Sequence, residues 1–166
     1  LIENPSASMC HWQSLAVGRC TTGVRIGADV VIENLQCGEN GTDILIDQQC
    51  DAVIIGYGSE GATRMATITN AAAGLYVGGQ CSFQAGANFT PADTGSLRWL
   101  INADVAGSGV SITLENFRLL KSGNPQKPVI RIGNSGGLGL RMLPLAGAST
   151  ASVYSSTCSA VSKYWS

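Results

Sequence analysis

The sequence is poor in charged residues, and this scarcity excludes one class of partner. Charged side chains make up 13% of the 166 residues, the formal net charge at pH 7 is −1, and only three lysines are present. Proteins that bind nucleic acid carry a basic patch or stripe that contacts the phosphates. The composition therefore argues against a nucleic-acid partner.

Long apolar runs are also missing. No uninterrupted apolar segment approaches the roughly 18 residues that a membrane-spanning helix needs, so no membrane span is predicted. The chain begins at Leu1 and shows no charged segment followed by an apolar one. We interpret it as a mature product or a fragment from which a targeting segment has been removed.

Metal and cofactor motifs are absent as well. The chain has one histidine and no CxxC pair, which argues against zinc and iron–sulfur sites, so no cofactor is expected. Disulfides account better for an even number of cysteines. All six are expected to be oxidised: Cys10, Cys20, Cys37, Cys50, Cys81 and Cys158. Fifteen pairings are possible, and Cys10–Cys20 and Cys37–Cys50 are favoured because each closes a short segment.

Two sequons point to the same oxidising, secretory route. NGT begins at Asn40 and NFT at Asn88, each beside turn-forming residues where a glycan could leave the surface. Together with the cysteines, they predict a secreted or extracellular glycoprotein.

Helical periodicity is scarce, whereas glycine is abundant, at 21 residues. Short β-type runs recur from Gly23 to Tyr154 and are separated by turn-forming stretches such as GYGSEG and NSGG. An all-β domain is therefore predicted. Only MCHWQSLAVGRC, residues 9–20, is a candidate for a short helical cap.

Two phrases repeat along the chain. VVIENLQC, residues 30–37, aligns with ITLENFRL at an offset of 82, and DILIDQQC, residues 43–50, resembles GLYVGGQC at an offset of 31. Imperfect periods of about 20 to 30 residues with three short strands each predict a parallel coil, in which every strand stacks on its equivalent one turn later. Inward side chains then form apolar ladders, while outward ones stay polar.

The Glu-Asn pair in each phrase marks a predicted corner of the coil. Asn34 and Asn116 are expected to take the bend, after which Leu35 and Phe117 return to the core. The predicted interior comprises Val31 or Ile32, Ile44, Ile46, Ile55, Ile112, Leu114, Ile130 and Ile132.

These repeats resemble the right-handed parallel β-helix, or pectin-lyase-like, superfamily over roughly residues 23–145. The chain is also similar to Cys-containing β-helix repeats of secreted and surface proteins in algae and other microbes. The resemblance implies a single solenoid domain with an N-terminal cap at 1–22, coils at 23–145 and a tail at 146–166. A β-sandwich or jelly roll is the alternative fold, since it would contain the same short strands.

The family's pectin-cleaving members suggest where catalytic residues should lie. Their sites use clustered Asp with Gly-His-Gly and Arg-Ile-Lys, or calcium held by Asp beside an Arg or Lys. The RIG tripeptides at 25–27 and 131–133 lack the lysine, and His11 is not in a Gly-His-Gly. No catalytic residue is therefore assigned.

A weaker acidic set consists of Asp43, Asp47 and Asp51. Asp43 and Asp47 are four residues apart, so on a continuous strand they would face the same way and could hold calcium or form a glycosidase-type carboxylate pair. The simpler expectation is that these acids lie outward at strand ends and are solvated.

Aromatic side chains offer a possible sugar-stacking surface. The candidates are Tyr57, Tyr76, Phe83 and Trp99. The favoured alternative places Tyr76, Trp99 and Phe117 in the core, because they occur in alternating runs.

The C-terminal segment is apolar and carries few charges. From about Ser149 it contains Val153, Tyr154, Val161, Tyr164 and Trp165, which are candidate contact residues. We expect this segment to lie against another copy or another protein, the alternative being a tail folded back on its own domain.

These observations favour a non-catalytic extracellular structural or interaction protein, a self-assembling homo-oligomer or filament subunit of a surface. The alternative is a protein that binds or cleaves polysaccharide.

Overall fold

The computed structural model describes residues 2–4, 9–85, 101–103, 110–120, 130–132, 137–142, 154–156 and 162–163. These residues form two seven-stranded sheets, in which every strand pair is parallel. None of the described segments is a helix long and apolar enough to cross a membrane.

Sheet A contains strands of three or five residues. In spatial order they are β1 (Ile2–Asn4), β3 (Thr22–Ile26), β5 (Thr42–Ile46), β7 (Arg64–Ile68), β9 (Ile101–Ala103), β11 (Ile130–Ile132) and β13 (Tyr154–Ser156). Sheet B contains several longer strands. In spatial order they are β2 (Cys10–Gly18), β4 (Val30–Gly38), β6 (Asp51–Ala62), β8 (Gly74–Ala85), β10 (Ser111–Leu120), β12 (Gly137–Met142) and β14 (Ser162–Lys163).

The chain alternates between the two sheets, so each strand pairs with the strand two positions further along. This alternation winds the chain into a parallel β-solenoid, which confirms the predicted all-β coil. The alternative of a β-sandwich or jelly roll is wrong, because those folds are built from antiparallel strands. Each described coil has two strands instead of the predicted three, because the long strand of sheet B bends and supplies two faces.

The strand register explains one of the two sequence repeats. Val30 pairs with Ala52, Ala52 with Leu75, and Leu75 with Ile112, so the offset of 82 spans three successive steps in sheet B. The resemblance at offset 31 is not a structural repeat. It aligns Ile44 with Leu75, and these residues lie in different sheets.

Inward side chains form continuous apolar ladders across the coils. One ladder in sheet A contains Val24, Ile44, Ala66 and Ile101, all fully buried. One ladder in sheet B contains Ile32, Ile54, Val77 and Leu114, also fully buried. Since full burial of an aliphatic side chain is worth roughly 1.5–3 kcal/mol, these ladders are the main source of the fold's stability.

Most of the predicted core residues that the structure describes are confirmed. Ile32, Ile44, Ile46, Ile112 and Leu114 are fully buried. The prediction for Ile55 is wrong, because its side chain is 44% exposed and that of Ile54 is buried instead. The run Ala-Val-Ile-Ile is apolar at every position, so its alternation did not reveal which residues face inward. The side chains of Ile130 and Ile132 lie outside the described residues.

The bend in sheet B lies where the Glu-Asn pair predicts it. Asn34 has a φ of 58°, and the residues at the same corner in the next coils are Gly56 and Gly79, with φ of 77° and 81°. This left-handed conformation favours Gly and Asn. In β10 the register shifts between Leu114 and Phe117, which brackets the second Glu-Asn pair; the side chain of Asn116 lies outside the described residues.

The N-terminal segment predicted as a helical cap is instead strand β2. Its Ser14 has a φ of 55° and occupies the corner position that Asn34 takes in β4. Trp12, Leu15 and Val17 extend the inward ladders and pack against the core. The helical prediction is wrong because the polar Gln-Ser pair at the bend interrupts the alternation, and the coil already includes residues before Gly23.

Candidate functional site

The outer surface of the coils is crossed by ion pairs between neighbouring strands. The Arg25 guanidinium lies 2.7 Å from an oxygen of Asp47 and 3.6 Å from one of Glu3. A hydrogen bond to Asp47 is the main reason that the pKa of Arg25 is raised. Arg19 and Glu39 pair at 2.8 Å at the next corner. These cations and carboxylates are partnered with each other and do not converge on one groove.

The acidic set predicted from the sequence is only partly brought together, because Asp47 and Asp51 both lie close enough to Cys50 to raise its pKa, whereas Asp43 lies apart from them. Asp43 is fully buried inside the solenoid, whereas Asp47 lies outside and pairs with Arg25. Asp51 is exposed, and its N–H donates to a carboxylate oxygen of Asp29 at 2.8 Å. Within the described ranges, no three His, Cys, Asp or Glu side chains are grouped closely enough to hold a metal ion. The expectation of a solvated Asp43 is wrong.

The Asp43 cluster, formed by Asp43, Cys37, Asn40, Tyr57 and Ser59, is the largest polar feature of the described interior. One carboxylate oxygen of Asp43 accepts hydrogen bonds from the Tyr57 hydroxyl at 2.6 Å and the Ser59 hydroxyl at 2.5 Å. The other accepts from the Asn40 amide at 2.8 Å, and the Cys37 thiol also bonds to Asp43. All five side chains are buried.

The cluster joins consecutive coils. Asp43 is its only carboxylate, and none of the other four residues is a cation. Burial raises the pKa of Asp43, and the hydrogen bonds from Ser59, Tyr57, Asn40 and Cys37 lower it, with burial the larger effect. Burial likewise raises the pKa of Cys37 and Tyr57, and the nearby Asp43 adds to both shifts. The cluster therefore favours neutral thiol and phenol groups facing one acid.

The local chain explains how a polar group enters the core. Asp43 and Ile44 are consecutive and both buried, so the alternation of β5 is broken at its start. The neighbouring coil has Gly23 there, where an added Cβ would lie 2.8 Å from the Asp43 carbonyl and 3.0 Å from the Asn40 amide nitrogen. The sequence contains only a weak indication of this cluster, namely that Tyr57 and Ser59 are two residues apart and therefore share the inward face of β6.

The structure separates the cysteines predicted to pair. Cys10, Cys37, Cys50 and Cys81 are free thiols, so neither the Cys10–Cys20 nor the Cys37–Cys50 disulfide is formed, and Cys158 lies outside the described residues. Cys37 lies in β4 beside Asp43, whereas Cys50 comes just before β6 at another corner. Burial raises the pKa of Cys50 to about 11, which makes its thiol poorly reactive.

The two sequons have different outcomes. Asn40 is buried, its amide nitrogen donates to Asp43 and to the Val17 carbonyl, and its oxygen accepts from the Cys20 N–H. A glycan on that nitrogen would break these contacts, so the folded geometry argues against the predicted modification at Asn40. Asn88 lies outside the described residues.

The aromatic candidates do not form a common outer surface. Tyr57 and Phe83 are buried in the core. Tyr76 is partly exposed, and its hydroxyl donates to Glu115 at 2.8 Å in the neighbouring strand, so its predicted core position is wrong. This hydrogen bond is the main reason that the pKa of Tyr76 is raised. Trp99 lies outside the described residues, as does the side chain of Phe117.

The N-terminal end of the coil exposes strand β2, the last described strand on its side of sheet B. Trp12, Leu15 and Val17 are only partly buried there, although their equivalents in the next coil, Ile32, Leu35 and Cys37, are buried. The end of the coil is therefore an incompletely covered cross-section of the core.

Of the contact residues predicted in the C-terminal segment, only Tyr154 lies within the described residues. Tyr154 belongs to β13 and pairs with Ile130 of β11 in sheet A. Val153, Val161, Tyr164 and Trp165 lie outside the described residues.

Comparison of the chain with models of protein families, with curated proteins and with solved structures found no match.

Proposed function

We propose that this chain is a non-catalytic structural protein that assembles by stacking the exposed β2 end of its solenoid on another copy. The observation that carries the proposal is the outer edge of β2, on which no strand pairs among the residues that the structure describes. An edge strand presents N–H and C=O groups that a further strand can pair with, and a parallel coil leaves such an edge at its end. A second copy supplies the required partner, a coil with inward apolar ladders.

The backbone of β2 shows which groups are available. The Cys10 N–H donates to the Asp29 carbonyl of the next coil. Because N–H groups alternate in direction along a strand, His11 and Gln13 direct theirs to the open side. Partly buried Trp12, Leu15 and Val17 lie beneath that edge, so a stacked coil would cover apolar surface as well as pair the backbone.

The experiment compares the oligomeric state of edge variants by light scattering and electron microscopy. Gln13→Pro removes one outward N–H, and Ala16→Lys adds a charge at the edge; both should reduce the mass of the full-length assembly. Gln36→Lys is the matched control, because Gln36 is the register partner of Ala16 in β4, which is covered by strands on both sides. A wild-type protein that stays a monodisperse monomer at high concentration would refute the proposal.

Deletion of the C-terminal segment tests which end of the second copy stacks on β2. Contact between unlike ends that does not close into a ring produces a filament. Deleting residues 150–166 should then lower the mass of the assembly as Gln13→Pro does. If truncation leaves the mass unchanged while Gln13→Pro lowers it, the contact joins two β2 ends instead and stops at a dimer.

We further propose a secreted or surface location and a right-handed coil related to the pectin-lyase-like superfamily. The location is supported by the NFT sequon at Asn88, because N-glycosylation takes place on the secretory route. The hand is supported by the strong preference of parallel strand connections for right-handed crossovers. Glycan mapping of Asn88 in protein from its native source and an experimental structure test the two statements.

A polysaccharide-acting protein remains the alternative prediction from the sequence. No cluster of outward acids beside a free cation occurs in the part of the chain that the structure describes, so no observation favours it there.

A further inference from the structure

Asn40 and Gly41 form the only Asn-Gly dipeptide in the chain. This dipeptide is the most prone to deamidation, because glycine has no side chain to hinder its own backbone nitrogen. That nitrogen attacks the Asn side-chain carbon, a new C–N bond forms, and the side-chain nitrogen leaves as ammonia. Water then opens the cyclic imide to aspartate or isoaspartate. The balance is one water consumed and one ammonia released, with no oxidant or reductant.

The folded corner restrains both reacting groups. The Gly41 N–H donates to the Cys20 carbonyl at 2.9 Å, so the attacking nitrogen is held against the preceding coil. The Asn40 oxygen accepts from the Cys20 N–H at 2.9 Å, and the Asn40 nitrogen donates to Asp43 at 2.8 Å and to the Val17 carbonyl at 3.3 Å. Cyclisation requires the side chain to turn back onto the Gly41 nitrogen, which breaks these contacts.

The reaction product does not fit the same position. The Asn40 nitrogen is a donor facing two acceptors, the Asp43 carboxylate and the Val17 carbonyl. In the aspartate product that nitrogen is replaced by an oxygen, so two buried carboxyl groups would face each other without a donor between them. One of them must take up a proton or leave the core, and either costs free energy. Isoaspartate also lengthens the backbone beside the Thr63 N–H, which donates to the Asn40 carbonyl.

We propose that Asn40–Gly41 is a latent modification site: it stays intact while the coil is closed, deamidates when this corner opens, and yields a product that the Asp43 carboxylate excludes from the closed coil. Opening of the corner is thereby recorded as an irreversible covalent change. The proposal does not depend on assembly at β2.

The first experiment measures deamidation by peptide mass mapping of recombinant full-length protein without glycosidase, because that enzyme itself converts Asn to Asp. Samples are incubated at pH 8 in buffer and in urea. The native protein should deamidate at Asn40 at least about tenfold more slowly, the factor that corresponds to about 1.4 kcal/mol of local opening. Equal rates in buffer and in urea would overturn the protection by the fold.

Two variants test the restraint by Asp43. Asp43→Ala removes the acceptor from Asn40 and should speed deamidation in buffer. Ser59→Ala removes a different donor from Asp43 and leaves the contacts of Asn40 in place, so it should have a smaller effect. Each rate is compared with the unfolded rate of the same variant and with its unfolding midpoint. Equal acceleration by the two variants after this correction would refute a specific role of Asp43.

The second experiment tests exclusion of the product. Asn40→Asp should lower the thermal midpoint, and it should do so more at pH 7 than at pH 4, because protonation removes the repulsion. The double variant Asn40→Asp with Asp43→Asn restores one amide and one carboxylate and should recover part of the loss. If Asn40→Asp is as stable as the wild type at pH 7, exclusion of the product is wrong.

Discussion

Polar contacts between coils are of two kinds in this molecule, and they differ in exposure. The outer pairs, such as Arg19 with Glu39, join long side chains that are 84% and 62% exposed. The Asp43 cluster joins coils through side chains that are all buried. Exposed ion pairs gain little because water already solvates each charge, whereas a buried carboxylate depends on its donors. The buried cluster should therefore control stability and register.

The sharpest way to break this comparison is to remove the buried acceptor. Asp43→Ala removes the carboxylate that accepts from Tyr57, Ser59 and Asn40, and a buried donor that loses its acceptor costs about 1–3 kcal/mol. We expect a loss of roughly 3–5 kcal/mol in the free energy of unfolding, measured with urea. Asp47→Ala is the matched control and should cost much less. Equal effects of the two variants would remove the distinction between the inner and outer contacts.

A second test contrasts the two faces of one strand. Ile54→Ala should cost roughly 2–5 kcal/mol, because it leaves a cavity in a buried ladder. Ile55→Ala changes the same atoms on the outer face and should stay within about 0.5 kcal/mol of the wild type. Urea unfolding of both variants measures the difference. A near-neutral Ile54→Ala would show that the ladder does not carry the fold.

The pH dependence of stability reports on Asp43 directly. Its folded pKa lies above its usual value, so the folded state binds this proton more tightly than the unfolded state. The contribution of Asp43 is therefore most favourable below about pH 4 and declines as pH rises through the folded pKa. Cys37 and Tyr57, with raised pKa values, stay neutral over this range.

Because other carboxylates titrate in the same range, the measurement is the difference between wild type and Asp43→Asn from pH 3 to pH 7. The stability of the wild type should fall relative to that of the variant as pH rises. A difference that does not change with pH would mean that Asp43 has the same pKa in both states.

The smallest effect is expected at the outer corner. Arg19→Ala removes a pair that is largely solvated, so it should change the free energy of unfolding by no more than about 0.5 kcal/mol, and by less at high salt. Chemical unfolding at low and high salt measures both values. A loss comparable to that of Asp43→Ala would contradict the ranking of outer and inner contacts.

The sequence predicts the coiled fold better than it predicts the polar side chains inside the coil. Alternating residues such as Ile44, Ile46 and Ile112 indicate inward positions because only one face of each strand can be buried. The strand register pairs CHWQSLAVG with VVIENLQCG, but Ser14 in place of Asn34 hides this corner in the sequence, which predicts a helical cap there instead.

The Asp43 cluster could not be predicted from the same pattern. Two consecutive residues, Asp43 and Ile44, face inward, which breaks the period on which the prediction depends. Two of its donors, Tyr57 and Ser59, lie 14 and 16 positions further along the chain, and the coil alone brings them to Asp43. The wrong choice between Ile54 and Ile55 has a similar cause, because a run that is apolar at every position does not show which side chains point into the core.

The pairing of β8 with β10 shows how such a coil accommodates extra sequence. Leu75 and Ile112 are 37 residues apart and still occupy neighbouring positions, whereas Val30 and Ala52 achieve the same arrangement with 22. The number of residues in a connection can thus vary while the paired strands stay neighbours, since the entropic cost of loop closure rises only slightly as a loop lengthens. Because β9 lies within the connection between β8 and β10 and its Ile101 belongs to a sheet A ladder, a peptide epitope or affinity tag grafted into this connection has to leave Ile101–Ala103 unchanged.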